Sequence, residues 1–292
     1  MKATRLASMA TRGLMPFQPA LRRLKRRLRP YEDDPANSAW CIVDGLEQIA
    51  ALRRAGVTLA GATVLEFGSG WLPQIPMLFH LAGAGRLILT DVERLMDART
   101  TARAHERIAG RIDAIAAAFE TPREALLARL EGFSFDYRVP WDPATEPAAS
   151  VDLVISRATF EHVPTEALRA FLAEFRRILR PGGATCHQID NSDHWEHRDK
   201  SLSRVEFLRY EEDDWLWRLA QLNTQGFQNR LRHSDYQALF AEAGFRVVLA
   251  EGVPDPRCLE DLRRLPLAGR FHGRPAEDLA ILSSLFVAVA PA

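Results

Sequence analysis

Two groups of residues have the types and spacing to do chemistry. The first is the run Val64-Leu65-Glu66-Phe67-Gly68-Ser69-Gly70-Trp71. An apolar stretch ends in a carboxylate and then turns through two glycines. Glycine lets a ligand approach the backbone to van der Waals distance, where any Cβ would intrude. In dinucleotide-binding folds a G-x-G-x-x-G turn faces a pyrophosphate, which a neighbouring carboxylate would repel. Here the third glycine is missing and Glu66 stands just before the turn. The turn therefore calls for positive charge, an amino-acid ammonium or a sulfonium. Asp91 follows 21 residues after Gly70, at the end of a second apolar run. An acid in that place accepts bonds from both hydroxyls of a ribose. Amino acid, ribose and positive charge together describe S-adenosylmethionine.

The second group is denser. His187, Asp190, Asp193, His194, His197 and Asp199 fall within thirteen residues, with Cys186 just before them. Asp190 and His194 form an acid–imidazole pair, which can act as a base with an orienting partner. The same cluster admits a divalent ion, but its spacing matches no specific metal motif and no metal is predicted. Loop hydrogen bonds and caps are the remaining use for such residues. Glu161-His162 follows another apolar run and should face the same cleft. The plain alternative is a helix-start acid beside a hydrogen-bonded histidine. Further on, Asn229-Arg230-Leu231-Arg232 offers two guanidiniums that either hold an anionic acceptor or form a solvated charge run.

These residues must be held by alternating elements. Short apolar runs predict strands at 63–67, 86–90, 133–137, 151–156, 184–189, 245–250 and 285–290. Helical patterns lie between them at 38–55, 74–83, 97–130, 165–179 and 234–243, the last with Ser234 as N-cap and Gly244 as its stop. Strand and helix in this rhythm predict an α/β, doubly wound parallel sheet with helices on both faces. Such sheets bind ligands at the carboxyl ends of their strands, where both groups fall. Two segments break the rhythm. Residues 191–233 are rich in aromatics and read either as a lid over the acceptor or as a packed helix pair. Residues 255–275 form a Pro- and Arg-rich connection. Both exceed an ordinary loop.

The stretch from about residue 60 to 190 resembles the class I S-adenosylmethionine-dependent methyltransferases of small-molecule type. The matching text is VLEFGSG, ILTD, VDLVISRATFEHV and FRRILRPGG. The resemblance implies a Rossmann-like seven-stranded sheet. It also implies a cofactor site of Glu66, Gly68, Ser69, Gly70, Trp71, Asp91, Val92, Asp142 and Ser156. Glu66 and the glycines would line the methionine end, Asp91 would hold the ribose, and Val92 would flank the adenine. Asp142 stands where the family has a short acidic signal from which Tyr137-Arg138-Val139-Pro140-Trp141 departs. The Trp71, Pro73 and Pro76 after the turn resemble a bacterial subgroup, some of it near surface-polysaccharide genes. The Asn/Asp-Pro-Pro-Tyr signal of nucleobase and amide N-methylation is absent, Ser156-Arg157-Ala158-Thr159 standing there instead. Methylation on oxygen is therefore favoured over nitrogen, with Asp190 or His194 as base and Glu161 and His162 beside the acceptor.

Composition bounds the rest. The chain has 292 residues, 47% of them hydrophobic and 26% charged, with 38 basic residues balancing 38 acidic ones. These values exclude a collagen, a disordered tail and a disulfide scaffold. No run reaches the ~18 apolar residues of a membrane span. Residues 1–30 hold nine basic residues and no acidic one. Leu21, Leu24 and Leu28 mark one stripe of a short basic helix there, and such an arm suits an anionic surface. The expected organisation is a basic helical extension over 1–58 and a methyltransferase domain over 59–292, with 191–233 as acceptor lid. Three cysteines without CxxC spacing and no secretory h-region suggest a cytoplasmic protein. The readings set against a small-molecule or glycan-related acceptor are an RNA or protein methyltransferase steered by the arm, and a silent methyltransferase-like binding subunit.

Overall fold

The apolar runs fold as neighbouring strands because each has hydrophobic side chains to bury on both faces. In the computed structural model, which describes residues 35–197, 199–221 and 227–291, β1 is Thr63–Phe67, β2 Arg86–Thr90, β3 Asp136–Arg138, β4 Val151–Arg157, β5 Leu179–Asp190, β6 Arg246–Glu251 and β7 Ser283–Val289. The order across the sheet is β3-β2-β1-β4-β5-β7-β6. Strands β1 to β5 pair in parallel, and β7 runs antiparallel to both β5 and β6. The doubly wound seven-stranded sheet expected is present, and β7 alone departs from its parallel pattern. The β6–β7 connection begins and ends at one edge, bridged by Pro254 and Ile281, so no crossover turns β7 round. β3 is also shorter than expected and starts at Asp136; Phe133 and Phe135 precede it, their rings packed in series with Tyr137.

The helices are α1 (Pro35–Arg54), α2 (Gln74–Leu81), α3 (Ala98–Ala109), α4 (Ile112–Phe119), α5 (Arg123–Glu131), α6 (Thr165–Ile178), α7 (Trp215–Gln221), α8 (His233–Glu242), α9 (Pro256–Leu262) and α10 (Ala276–Leu279). The single helical region expected over 97–130 is three helices. Gly110 ends α3, Glu120 in the left-handed region ends α4, and Pro122 opens α5. α8 begins one residue before the expected Ser234 cap. Ser234 instead turns its amide and hydroxyl to the Asp278 carboxylate, at 2.9 and 2.7 Å. The basic stripe of Leu21, Leu24 and Leu28 lies outside the described residues.

Alternation along the strands sends side chains to two cores. Val64, Leu153, Ile155 and Cys186 face the layer of α1 to α5. Leu65, Phe67, Val154 and Ile189 face α6 and α8. Helix α1 belongs to the body: Ile49, Ala51 and Leu52 are buried in the first core, and Gln48 donates to the Ser156 carbonyl at 2.7 Å. A third cluster joins the two segments that break the strand–helix rhythm. Phe207, Leu208 and Trp217 of the insert pack on Cys258, Leu262, Phe271 and Leu282. Four of the insert's aromatics, Trp195, Phe207, Tyr210 and Trp217, thus share a core with the later segment, whereas Trp215 is exposed. Among the described residues no helix is long and apolar enough to cross a membrane.

Candidate active site

β1 lies between β2 and β4, so the chain order reverses beside it and opens a crevice at the strands' carboxyl ends. The two-glycine turn sits there. Gly68 and Gly70 both adopt left-handed φ, 77° and 63°. A Cβ on Gly68 would meet the Thr159 side chain at 2.4 Å, whereas one on Gly70 would enter open space. The turn's three successive amides are all used inside the protein. Gly68 and Ser69 donate to the Thr90 carbonyl at 3.0 and 2.9 Å, and Gly70 donates to Asp91 Oδ2 at 2.9 Å. A phosphate nest needs such amides free. The turn is built for another ligand.

Asp91 also accepts from the Val92 amide through Oδ1 at 2.7 Å. A carboxylate offers about four acceptor sites, so capacity remains for hydroxyl donors. Burial raises its pKa against these amide bonds. Val92 itself is 81% exposed. Glu66 is 4% exposed, and its Oε2 has no hydrogen-bond partner. Burial pushes its pKa up to about 7, with Ser69 and Arg157 pulling the other way. An unmatched carboxylate of this kind would be satisfied by an incoming cation. Trp71 is half-buried beside the turn.

The four expected catalytic residues lie in one corner across the crevice. Thr159, packed on Gly68, leads directly into the 3-10 turn Phe160–His162. Glu161 is 3% exposed; neither carboxylate oxygen reaches full hydrogen-bond geometry, and only the backbone amides of Glu161 and Asp190 act on it as donors. Burial, then the nearby Asp190, raises its pKa well above the ordinary carboxylate value. His162 Nε2 is 4.0 Å from Glu161 Oε1, and His162 Nδ1 contacts the Phe227 carbonyl at 2.7 Å. A carbonyl only accepts, so Nδ1 carries the proton and Nε2 presents a lone pair. The His162 and His194 rings are 5.0 Å apart. His194 Nε2 stands 3.3 Å from Asp190 Oδ2, without hydrogen-bond alignment. Ser192 holds the other Asp190 oxygen through its amide and hydroxyl, at 2.9 and 2.6 Å. Burial pushes Asp190 up, but His194 and Ser192 outweigh it and hold it well below the usual range.

Other expected residues are spent elsewhere. The Ser156 hydroxyl is buried against His187 Nδ1 at 2.7 Å, so the structure gives it to the core and not to a cofactor. His187 packs on Phe160 and is held neutral by burial, its pKa down to about 3. Strand alternation explains both: Ser156 and His187 share the face toward α6 and α8, whereas Glu66 and Arg157 point to the other. Asp142 is exposed and caps the turn Pro143–Thr145 through the Ala144 amide at 3.0 Å. Asp193 is buried and receives the Trp195 amide at 2.7 Å. His197 stacks outside His194. The two arginines are also corrected. Arg230 lies 3.9 Å over the Trp217 ring and pairs with Glu212. Arg232 donates to the carbonyls of Asn191, Leu279 and Ile281 at 2.7 to 2.9 Å. Both are interior pins and not anion ligands.

Sequence reasoning missed Asp44 and Arg157. Arg157 Nε donates to Asp44 Oδ2 at 2.6 Å, tying α1 to the end of β4. The Arg157 charge pulls down the pKa of both Glu66 and Glu161, so it acts on both halves of the site. The signal was a charged residue closing a buried strand.

The sequence pattern of the family described as "Methyltransferase domain" matches residues 18–250. The chain belongs to this methyltransferase family. With its seven-stranded order and reversed β7, it is a class I methyltransferase, and S-adenosylmethionine is the cofactor the family implies. Among solved structures, it is similar to an S-adenosylmethionine-dependent methyltransferase from Mesorhizobium loti, with 16% identity, 82% of this chain and 96% of that one covered and a TM-score of 0.47. It is similar also to one from Methanosarcina mazei, with 12% identity, 82% and 97% covered and a TM-score of 0.43. No curated protein sequence matches the chain.

Proposed function

We propose that this methyltransferase moves the methyl group of S-adenosylmethionine to an oxygen of a small, hydroxylated, glycan-related acceptor in the cytoplasm. One observation carries the reading. Gly68 of the acidic turn packs on Thr159, two residues before Glu161, so a cofactor seated on the turn adjoins the Glu161–His162–Asp190–His194 corner. On this reading Glu66 takes the methionine ammonium, and Gly68, Ser69 and Gly70 let the methionine end approach. Asp91 takes the ribose hydroxyls, Val92 flanks the adenine, and Trp71 borders the cofactor.

Methyl transfer is an in-line displacement. The acceptor oxygen forms a bond to the methyl carbon as the carbon–sulfur bond breaks, and S-adenosylhomocysteine leaves as a neutral thioether. The donor is already activated, so the protein supplies alignment and a destination for the hydroxyl proton. Asp190 or His194 takes that proton. A neutral amine would need little such help, and the acid–imidazole pair therefore favours oxygen.

The test is transfer of isotopically labelled methyl from S-adenosylmethionine to a panel of sugars, phenols and amines. Labelled methyl ethers from hydroxylated acceptors are expected. Label found only on amines, or only on RNA or protein and lost on removing residues 1–30, overturns the reading.

A further inference from the structure

The acceptor corner carries a feature that proton transfer alone leaves unexplained. Glu161 is buried, no side chain donates to either oxygen, and the backbone amides that act on it fall short of hydrogen-bond geometry. One ligand atom each from Glu161, His162 and His194 lie within 4.8 Å of one another. A buried carboxylate without a full hydrogen bond is costly, and natural proteins keep one where a cation or a function compensates.

We propose that Glu161, His162 and His194 hold a first-row transition-metal ion in the corner that adjoins the acidic turn. Three observations point there independently. The donor set is two imidazoles and one carboxylate, which suits zinc, iron, nickel or cobalt, whereas magnesium and calcium prefer all-oxygen shells. The His162 tautomer is fixed for ligation: Nδ1 donates to the Phe227 carbonyl, the arrangement by which metal-bound imidazoles are usually oriented. The Glu161 carboxylate faces the same point, 4.0 Å from His162 Nε2. Ligand bonds of roughly 2.0–2.2 Å set tetrahedral ligand atoms about 3.3 Å apart, so the three side chains close by up to ~1.5 Å on binding. Asp190 Oδ2 already stands 3.3 Å from His194 Nε2, beside the site.

Three protein ligands leave a position open, as in catalytic rather than structural sites. The site stands on its own residues; its role rests on the methyl-transfer reading. An acceptor hydroxyl in the open position would be oriented toward the methyl group and made more acidic. His194 would then be a ligand, and the proton would pass to Asp190 or to solvent.

The experiment uses full-length, tag-free protein stripped with a chelator. It is titrated calorimetrically with Zn²⁺ and spectroscopically with Co²⁺, alongside His162→Gln, His194→Gln and Glu161→Gln. S-adenosylmethionine binding is measured in parallel as a check on folding. The expected result is one ion per chain, visible Co²⁺ bands from imidazole ligation, and affinity reduced about 100-fold in each variant that still binds the cofactor. Mg²⁺ should not compete. Absence of stoichiometric binding, or equal binding by the variants, overturns the site. Ion binding without methyl transfer to any hydroxylated acceptor leaves the site standing and removes the proposed role.

Discussion

The Oδ2 atom of Asp91 accepts the amide hydrogen of Gly70 across 2.9 Å. This bond ties the end of β2 to the turn after β1, so the two acids proposed to hold the cofactor, Glu66 and Asp91, are set by one contact. The two glycines of that turn should separate experimentally. Gly68→Ala drives a Cβ to 2.4 Å from Thr159 and imposes a left-handed φ on alanine. Gly70→Ala has the same φ problem but no clash. Thermal unfolding should show a loss of about 1–2 kcal/mol for Gly70→Ala, from the left-handed backbone alone, and a larger loss for Gly68→Ala. Gly70→Ala should nevertheless bind S-adenosylmethionine at least tenfold more weakly, because its new methyl enters the crevice. Equal stability in the two variants would show that Thr159 yields freely.

Glu66 should make the apo protein's stability fall with pH. Its folded pKa is raised from 4.5 to about 7 by burial. The folded state therefore holds the proton more tightly than the unfolded chain. The contribution is fully present below pH 4.5 and is lost as pH rises through 7, a change of about 3 kcal/mol. Denaturant melts of the apo protein from pH 5 to 8 should show it, and Glu66→Gln should flatten that profile. Cofactor affinity should run the other way, strengthening toward pH 8 as the carboxylate forms to meet the ammonium.

Glu161→Gln should trade function for stability. It removes a buried carboxyl whose charged form burial disfavours, so at pH 8 the variant should be more stable by roughly 1–3 kcal/mol. Methyl transfer should drop at least 100-fold while S-adenosylmethionine still binds. Calorimetric cofactor titration and a melt on the same sample check both halves. A less stable variant would mean that Glu161 has a partner in the folded protein.

Arg232 should be among the most sensitive surface-remote positions. Its guanidinium serves three backbone carbonyls that join the end of β5 to the approach to β7. Arg232→Leu leaves those buried carbonyls unpaired, at about 3 kcal/mol or more. Chemical denaturation measures this directly. A loss confined to acceptor affinity, with unchanged stability, would restore the anion-binding role.

Much of the fold was legible because its signals are local. Buried runs such as Val64–Phe67 and Val151–Ile155 read as strands, and the spacing of the two glycines and Asp91 pointed to one crevice, where the structure brings them together. The meeting of Glu161 and His162 with Asp190 and His194 followed from both pairs closing adjacent parallel strands. What stayed hidden depends on which face a residue takes and on distant partners. Ser156 looked like a cleft residue, yet strand alternation turns it toward His187. Arg230 and Arg232 looked solvated, but they are drawn inside by Trp217 and by backbone carbonyls 41 to 49 residues away in sequence. The direction of β7 depended on a connection that never crosses the sheet.

The most direct test is calorimetric titration of the intact protein with S-adenosylmethionine and S-adenosylhomocysteine, with Asp91→Ala alongside. Micromolar binding by the intact chain, lost in the variant while its fold persists, is the predicted result. No binding of either compound by the intact chain, with acceptor sugars present or absent, would contradict the account.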